Sequence, residues 1–335
     1  MTPKRRFLAG LLGGRLDRAP AGSPTSVATL ECMALSGAYF PDVHQDGQAM
    51  AALAATAHTI LGYDCIMPVF SVQQEAAALG CEMDWGQRES MPTARSHPWA
   101  SPADVNIPAD FFSRPSIRAV LEAIRLLRHE YGHRVAIVGK VIGPWTLAYN
   151  LHGVQDFLIK TILDPDVVRG FLDRLKQVTV VFGQAQIEAG ADALCLADHA
   201  TGDLVSARTY RDFLMPVHQQ LVRELGCPLV LHTCGNTADR LEYICQAGFD
   251  AFHFDSKVPA TTARAITRGR ISLVGNINNP EVLLHGTPQE VYREALAALE
   301  AGVDIVGPEC AIPLATPNVN LVAITQAAKD FVRTP

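Results

Sequence analysis

From about residue 115 onward, the chain repeats one pattern. A short apolar run without alternation is followed by a longer segment whose apolar residues recur at helical spacing. The short runs fall at 135–138, 193–196, 228–231, 251–254, 271–274 and 304–306. Between them lie helix-like stretches at about 165–189, 207–225, 237–247, 259–268, 288–301 and 318–333, preceded by one at 117–129 in which Ile117, Val120, Leu121, Ile124 and Leu127 share a face. Apolar runs of this length, with no polar residue every second position, belong to strands covered on both faces, and parallel strands with crossover helices are covered in that way. Earlier, a run at 64–70 follows a helical stretch at 47–61, and a further strand is expected near 25–30. About eight strand–helix units over most of the chain predict a (β/α)8 TIM barrel rather than an open doubly wound sheet. No G-x-G-x-x-G or P-loop sequence follows any of the strands, which removes the usual nucleotide-binding signals.

The expected organisation is one barrel domain over residues 1–335, with an N-terminal helical extension and a long inserted loop at about 85–115. That loop carries Pro92, Pro98, Pro102, Pro108 and Pro115, and a connection so long is uncommon unless it serves function, for instance as a gate. The start, Lys4-Arg5-Arg6 followed by a brief apolar stretch broken at Gly13-Gly14, is expected to form a short amphipathic helix rather than a secretory leader. No apolar run approaches the ~18 residues that span a bilayer. The chain is therefore expected to be soluble and cytoplasmic, without a membrane partner. A net charge of −6, from 28 basic and 34 acidic residues, argues against a nucleic-acid partner. With 48% hydrophobic residues, 335 positions supply a core that needs no staples, so the eight cysteines are expected to be reduced thiols.

Three residues combine into chemistry. His232 and Cys234 stand directly after the run at 228–231, and Cys310 stands a few residues after the run at 304–306. In a barrel all strand C-termini meet at one mouth, so these side chains can converge, and residues two apart in extended chain point the same way. Two thiolates and an imidazole suit Zn2+, and three protein ligands leave a fourth position open, as in catalytic zinc sites. Two thiolates neutralise the ion, which favours holding an added thiol as a nucleophile over activating water. The alternative from the residues alone is a core histidine beside two buried thiols.

Near these residues the chain resembles the uroporphyrinogen decarboxylase superfamily, in particular its methylcobamide:coenzyme M methyltransferase branch. The shared markers are the segment from Arg6 to Gly14, Asp17-Arg18-Ala19-Pro20, Gly143-Pro144-Trp145-Thr146-Leu147, Gly275-Asn276-Ile277, and, for the methyltransferase branch, Ser23-Pro24-Thr25-Ser26, His232-x-Cys234-Gly235-Asn236 and Cys310. The resemblance implies a (β/α)8 barrel and Zn2+ on His232, Cys234 and Cys310. It also implies a small thiol acceptor such as coenzyme M, and a methyl donor in the form of methylcobalamin or a methylated corrinoid carried by a partner corrinoid protein. The decarboxylase branch carries an Arg-rich loop where this chain has Ser26-Val27-Ala28-Thr29-Leu30-Glu31, and an Asp after a Phe-Ser pair where this chain has Phe70-Ser71-Val72. A decarboxylase-like lyase acting on a tetrapyrrole, transfer to another acceptor such as tetrahydrofolate, and a corrinoid-binding module without turnover are the competing readings. Asp198, Asn276 and Glu75 are the candidate substrate-binding residues: Asp198 and Asn276 follow strands, and Glu75 is a lone charge in an apolar stretch.

Overall fold

The computed structural model describes residues 1–332. Seven parallel strands, hydrogen-bonded in sequence order, form a curled sheet: β1 (Cys65–Ile66), β2 (Ala136–Ile142), β3 (Ala193–Ala197), β4 (Leu229–Thr233), β5 (Ala251–Phe254), β6 (Ser272–Ile277) and β7 (Ile305–Pro308). Every residue of β2 through β7 is buried, as strands covered by helices outside and side chains inside must be. β1 is shorter than the expected run at 64–70 because Pro68 has no N–H to continue the ladder, though residues 67–70 stay buried.

The closing strand does not lie at 25–30. Thr29 instead accepts a hydrogen bond from Cys32 N at 3.0 Å and caps the helix Leu30–Ser36. Residues 20–22 close the ring. Val306 N donates to Pro20 O at 3.1 Å and Gly22 N to Val306 O at 3.0 Å, while on the other side Asp64 N donates to Ala21 O at 2.8 Å. Asp64 also accepts Ala21 N through Oδ2 at 3.0 Å. Its Oδ1 is held by Arg6 at 2.7 Å and Arg18 at 3.0 Å. The buried Arg6, on the N-terminal helix Pro3–Leu11, forks onto Asp17 as well, at 2.7 and 2.9 Å. The N-terminal markers thus fasten the seam of a TIM-barrel-like α/β fold.

The expected helices at 117–129 and 165–189 are present as Pro115–Glu130 and Pro165–Ala189, and the last one as Asn318–Asp330, with Arg333 outside the described residues. The stretch at 207–225 divides, with a π-helical turn at Tyr210–Leu214 before Met215–Leu225. Pro216 lacks the N–H that a continuous helix requires there. The excursion at 85–115 is not irregular throughout. Strands Met83–Asp84 and Thr93–Ala94 pair antiparallel, and Trp99 and Phe111 are buried. His152 Nδ1 donates to Trp99 O at 2.7 Å, which fixes the excursion to the helix Pro144–His152.

Candidate metal centre

The parallel register makes the C-terminal ends of β4 and β7 neighbours across the barrel mouth. His232 Nε2 lies 3.1 Å from Cys234 Sγ and 3.4 Å from Cys310 Sγ, and the two sulfurs lie 3.0 Å apart. Cys234 turns back toward His232 because Gly235 takes φ +78°, in the left-handed region, and no side chain fits there: a Cβ would stand 2.3 Å from Thr201 Oγ1. Gly235 N also donates to Asp255 Oδ2 at 2.8 Å.

His232 Nδ1 lies 3.3 Å from His253 O. A carbonyl only accepts, so Nδ1 carries the proton and the Nε2 lone pair faces the two sulfurs. This is the arrangement by which a backbone carbonyl orients a metal-ligating imidazole. His253 stacks on His232 with centroids 4.6 Å apart, and its Nε2 donates to Pro308 O at 2.8 Å. It therefore ties β4 to β7 beneath the sulfurs. Burial and the neighbouring His232 hold His253 down to about 3.

The thiols of the chain divide by environment. Burial pushes Cys65, Cys81, Cys195, Cys227 and Cys245 upward, with Cys195 reaching about 12. Cys310 is held well below the ordinary thiol range, chiefly because Cys234 donates to it. Cys234 is raised correspondingly, chiefly as the donor of that pair. A thiolate, a second thiol and an imidazole lone pair facing one point form a soft donor set that fits Zn2+. The ligand atoms of His199, His232 and Cys234 also lie within 4.8 Å of one another. His199 follows β3 directly and is kept neutral by burial, so it adds a donor to the same mouth. Its position after a strand was the sequence signal for it.

Both oxygens of buried Asp198 are engaged: Oδ1 by Thr146 N at 2.8 Å and Thr146 Oγ1 at 3.0 Å, and Oδ2 by His218 Nε2 at 3.0 Å. Gly143 makes this approach possible, since a Cβ there would sit 2.2 Å from Asp198 Cγ. Asn276 donates through Nδ2 to Val258 O at 3.1 Å. Glu309, beside Cys310, accepts from Asn279 N at 2.8 Å and Ser256 N at 2.9 Å. Glu75 accepts from Ile142 N at 2.8 Å through Oε1, while Oε2 has no partner among the described residues. Sequence reasoning missed Lys140, whose signal was a lone cation in the middle of the apolar strand β2.

Fold and site together define a TIM-barrel-like α/β protein with a cluster of soft donor side chains at the C-terminal mouth of its sheet. The chain belongs to the uroporphyrinogen decarboxylase (URO-D) family, whose model matches residues 2–331. It is 36% identical over 331 residues to a methylated-thiol–coenzyme M methyltransferase of Methanosarcina mazei, covering 98% of this chain and 90% of that protein. It is 33% identical over 333 residues to the methylcobamide:CoM methyltransferase MtaA of Methanosarcina barkeri, covering 98% of each. A solved methyltransferase structure from Methanosarcina mazei superposes with a TM-score of 0.96 at 33% identity, covering 98% of this chain and 99% of that one. Among the described residues no helix is long and apolar enough to cross a membrane.

Proposed function

We propose that this protein is a zinc-dependent methyltransferase that moves a methyl group from a methylated corrinoid to a small thiol of the coenzyme M type. The observation that carries the reading is the aim of His232 Nε2 at Cys234 Sγ and Cys310 Sγ, 3.1 and 3.4 Å away. The names of the relatives, a methylated-thiol–coenzyme M methyltransferase and a methylcobamide:CoM methyltransferase, support it.

In this reading His232, Cys234 and Cys310 hold the metal, with His199 beside them. Bound there, zinc supplies the Lewis acidity that keeps an added thiol deprotonated near neutral pH. His253 O fixes the tautomer and direction of His232, and the pairing of Cys234 with Cys310 keeps one thiolate in the site. Asp198, locked by Thr146 and His218, holds the loop that presents His199. The acceptor loses its S–H proton to solvent, and its sulfur lone pair forms the C–S bond to the methyl group. The cobalt–carbon bond breaks with both electrons remaining on cobalt, so the corrinoid leaves in its cob(I) form. A separate corrinoid protein is the proposed donor, docking at the mouth that the 85–115 excursion borders.

Zinc content of the purified protein, followed by incubation with methylcobalamin and a panel of thiols, tests the reading. Expected are stoichiometric zinc and loss of the methylcobalamin spectrum only when thiol is present. A metal-free protein that is fully active, or one that demethylates nothing, overturns it.

A further inference from the structure

Of the eight thiols, two touch each other. Cys234 Sγ and Cys310 Sγ lie 3.0 Å apart, and both residues are partly exposed at the mouth, where a small solute can reach them. The others are placed differently. Cys32, Cys65 and Cys81 are buried, and each gives its S–H to an oxygen: Cys32 to Asn318 Oδ1 at 3.4 Å, Cys65 to Ser23 O at 3.5 Å and Cys81 to Asn150 O at 3.3 Å. Cys195 is buried within β3. Cys227 and Cys245 are partly exposed, but neither has a thiol as partner among the described residues.

The backbone around the pair is anchored, while the sulfurs are not. Gly235 N donates to Asp255 beside Cys234, and Glu309 beside Cys310 accepts from Ser256 N and Asn279 N. The two Sγ atoms have hydrogen-bonding contacts only with each other and with His232 Nε2. No hydrogen bond outside the cluster therefore opposes their approach. A disulfide bond is about 2.05 Å long, so the sulfurs need to close by roughly 1 Å. A metal and a disulfide exclude each other at this place, because the metal needs thiolates and the disulfide consumes them.

We propose that Cys234 and Cys310 are a reversible oxidation site, which closes to a disulfide when the metal is lost, so that the mouth has two exclusive states: a metal held by two thiolates, and a metal-free disulfide. The inference rests on the proposed metal ligation and adds a modification to the same residues. The oxidant is a peroxide. One sulfur attacks a peroxide oxygen; the S–O bond forms, the O–O bond breaks, and the leaving hydroxide takes that thiol's proton and departs as water. The second sulfur attacks the sulfenic sulfur; the S–S bond forms, the S–O bond breaks, and hydroxide leaves with the second thiol's proton as water. Two thiols are oxidised to one disulfide, and one peroxide is reduced to two waters. A small dithiol reverses the change by exchange.

The test treats the full-length protein with hydrogen peroxide, metal-free and with excess Zn2+, and digests it without reduction. Metal-free protein is expected to yield a Cys234 peptide joined to a Cys310 peptide, an intact mass lower by two hydrogens, and loss of zinc uptake, all restored by dithiothreitol. Excess Zn2+ is expected to slow the cross-link, and zinc-loaded protein without that excess to release one zinc per disulfide, read with a chromogenic chelator. In metal-free Cys234→Ser, dimedone is expected to trap Cys310 as its sulfenic acid with no cross-link. Over-oxidation of either cysteine in the wild type without a cross-link, a disulfide to any other cysteine, or equal rates with and without excess Zn2+ overturns the inference and leaves methyl transfer intact. Absence of zinc and of any thiol methylation overturns the proposed function instead, and the cross-link is still read by mass.

Discussion

Cys234 Sγ and Cys310 Sγ lie 3.0 Å apart although 76 positions separate them in the chain. Only the closure of parallel strands around one axis brings the ends of β4 and β7 to that distance. A metal that took these sulfurs as ligands would displace their shared proton and would bind only where the folded strands bring them together. Metal binding and folding should therefore be coupled.

Adding Zn2+ to the metal-free protein is expected to raise its Tm, since a ligand that binds only the folded state at 100 times its Kd stabilises by about 2.7 kcal/mol. Cys234→Ser and His232→Ala should lose most of that rise along with methyl transfer. A metal-induced rise equal to the wild type's in both variants would remove them from the ligand set. Differential scanning calorimetry with and without zinc is the measurement.

Asp64 is 1% exposed and pairs with Arg6 and Arg18 while accepting Ala21 N. Asp64→Asn keeps the shape but leaves two cations without their shared anion. Breaking a buried ion pair from one side costs about 3–5 kcal/mol. Urea denaturation should show a loss of that size with the barrel otherwise intact, and a loss under 1 kcal/mol would refute the seam as described.

Glu75 gives stability a pH dependence of definite sign. Its folded value is raised, to about 7 against an ordinary 4.5, so between those pH values the native state binds more protons than the unfolded chain. Stability from this group is present below about pH 4.5 and is lost as pH rises toward 7, by roughly 3 kcal/mol at most. Glu75→Gln should remove that decline. Denaturation curves collected at pH 5 and pH 7.5 check it, and parallel behaviour of wild type and variant would contradict the account.

Gly235→Ala places a Cβ where Thr201 Oγ1 stands and forces φ +78° on an L-residue. A cost of about 1–3 kcal/mol is expected from the strain alone. Because Cys234 precedes it, zinc affinity should fall as well, read by competition with a chromogenic chelator. Unchanged affinity would mean that the turn does not aim the sulfur.

What the sequence revealed depended on how local each signal was. The strands from β2 to β7 are short apolar runs bounded by turns, and they stand where the pattern put them. His232, Cys234 and Cys310 were legible because each follows a run whose end must lie at the mouth. The closing segment at 20–22 was not, since it contributes a few backbone hydrogen bonds to two neighbours and carries Pro20 and Gly22 rather than an apolar run. Asp198 was legible as a mouth residue, but its engagement by Thr146 and His218 depends on helices 52 and 20 positions away.

The seam at Pro20–Gly22 also sets an order of events during synthesis. Its partner Val306 is translated 284 positions after Gly22, which at common ribosome speeds is roughly 15 to 60 seconds. Until then the first strand edge and the emerging β sheet stand open to other chains. Arg6, Arg18 and Asp64 lie close together near the start, so they can pre-shape that edge early and hold it for its late partner.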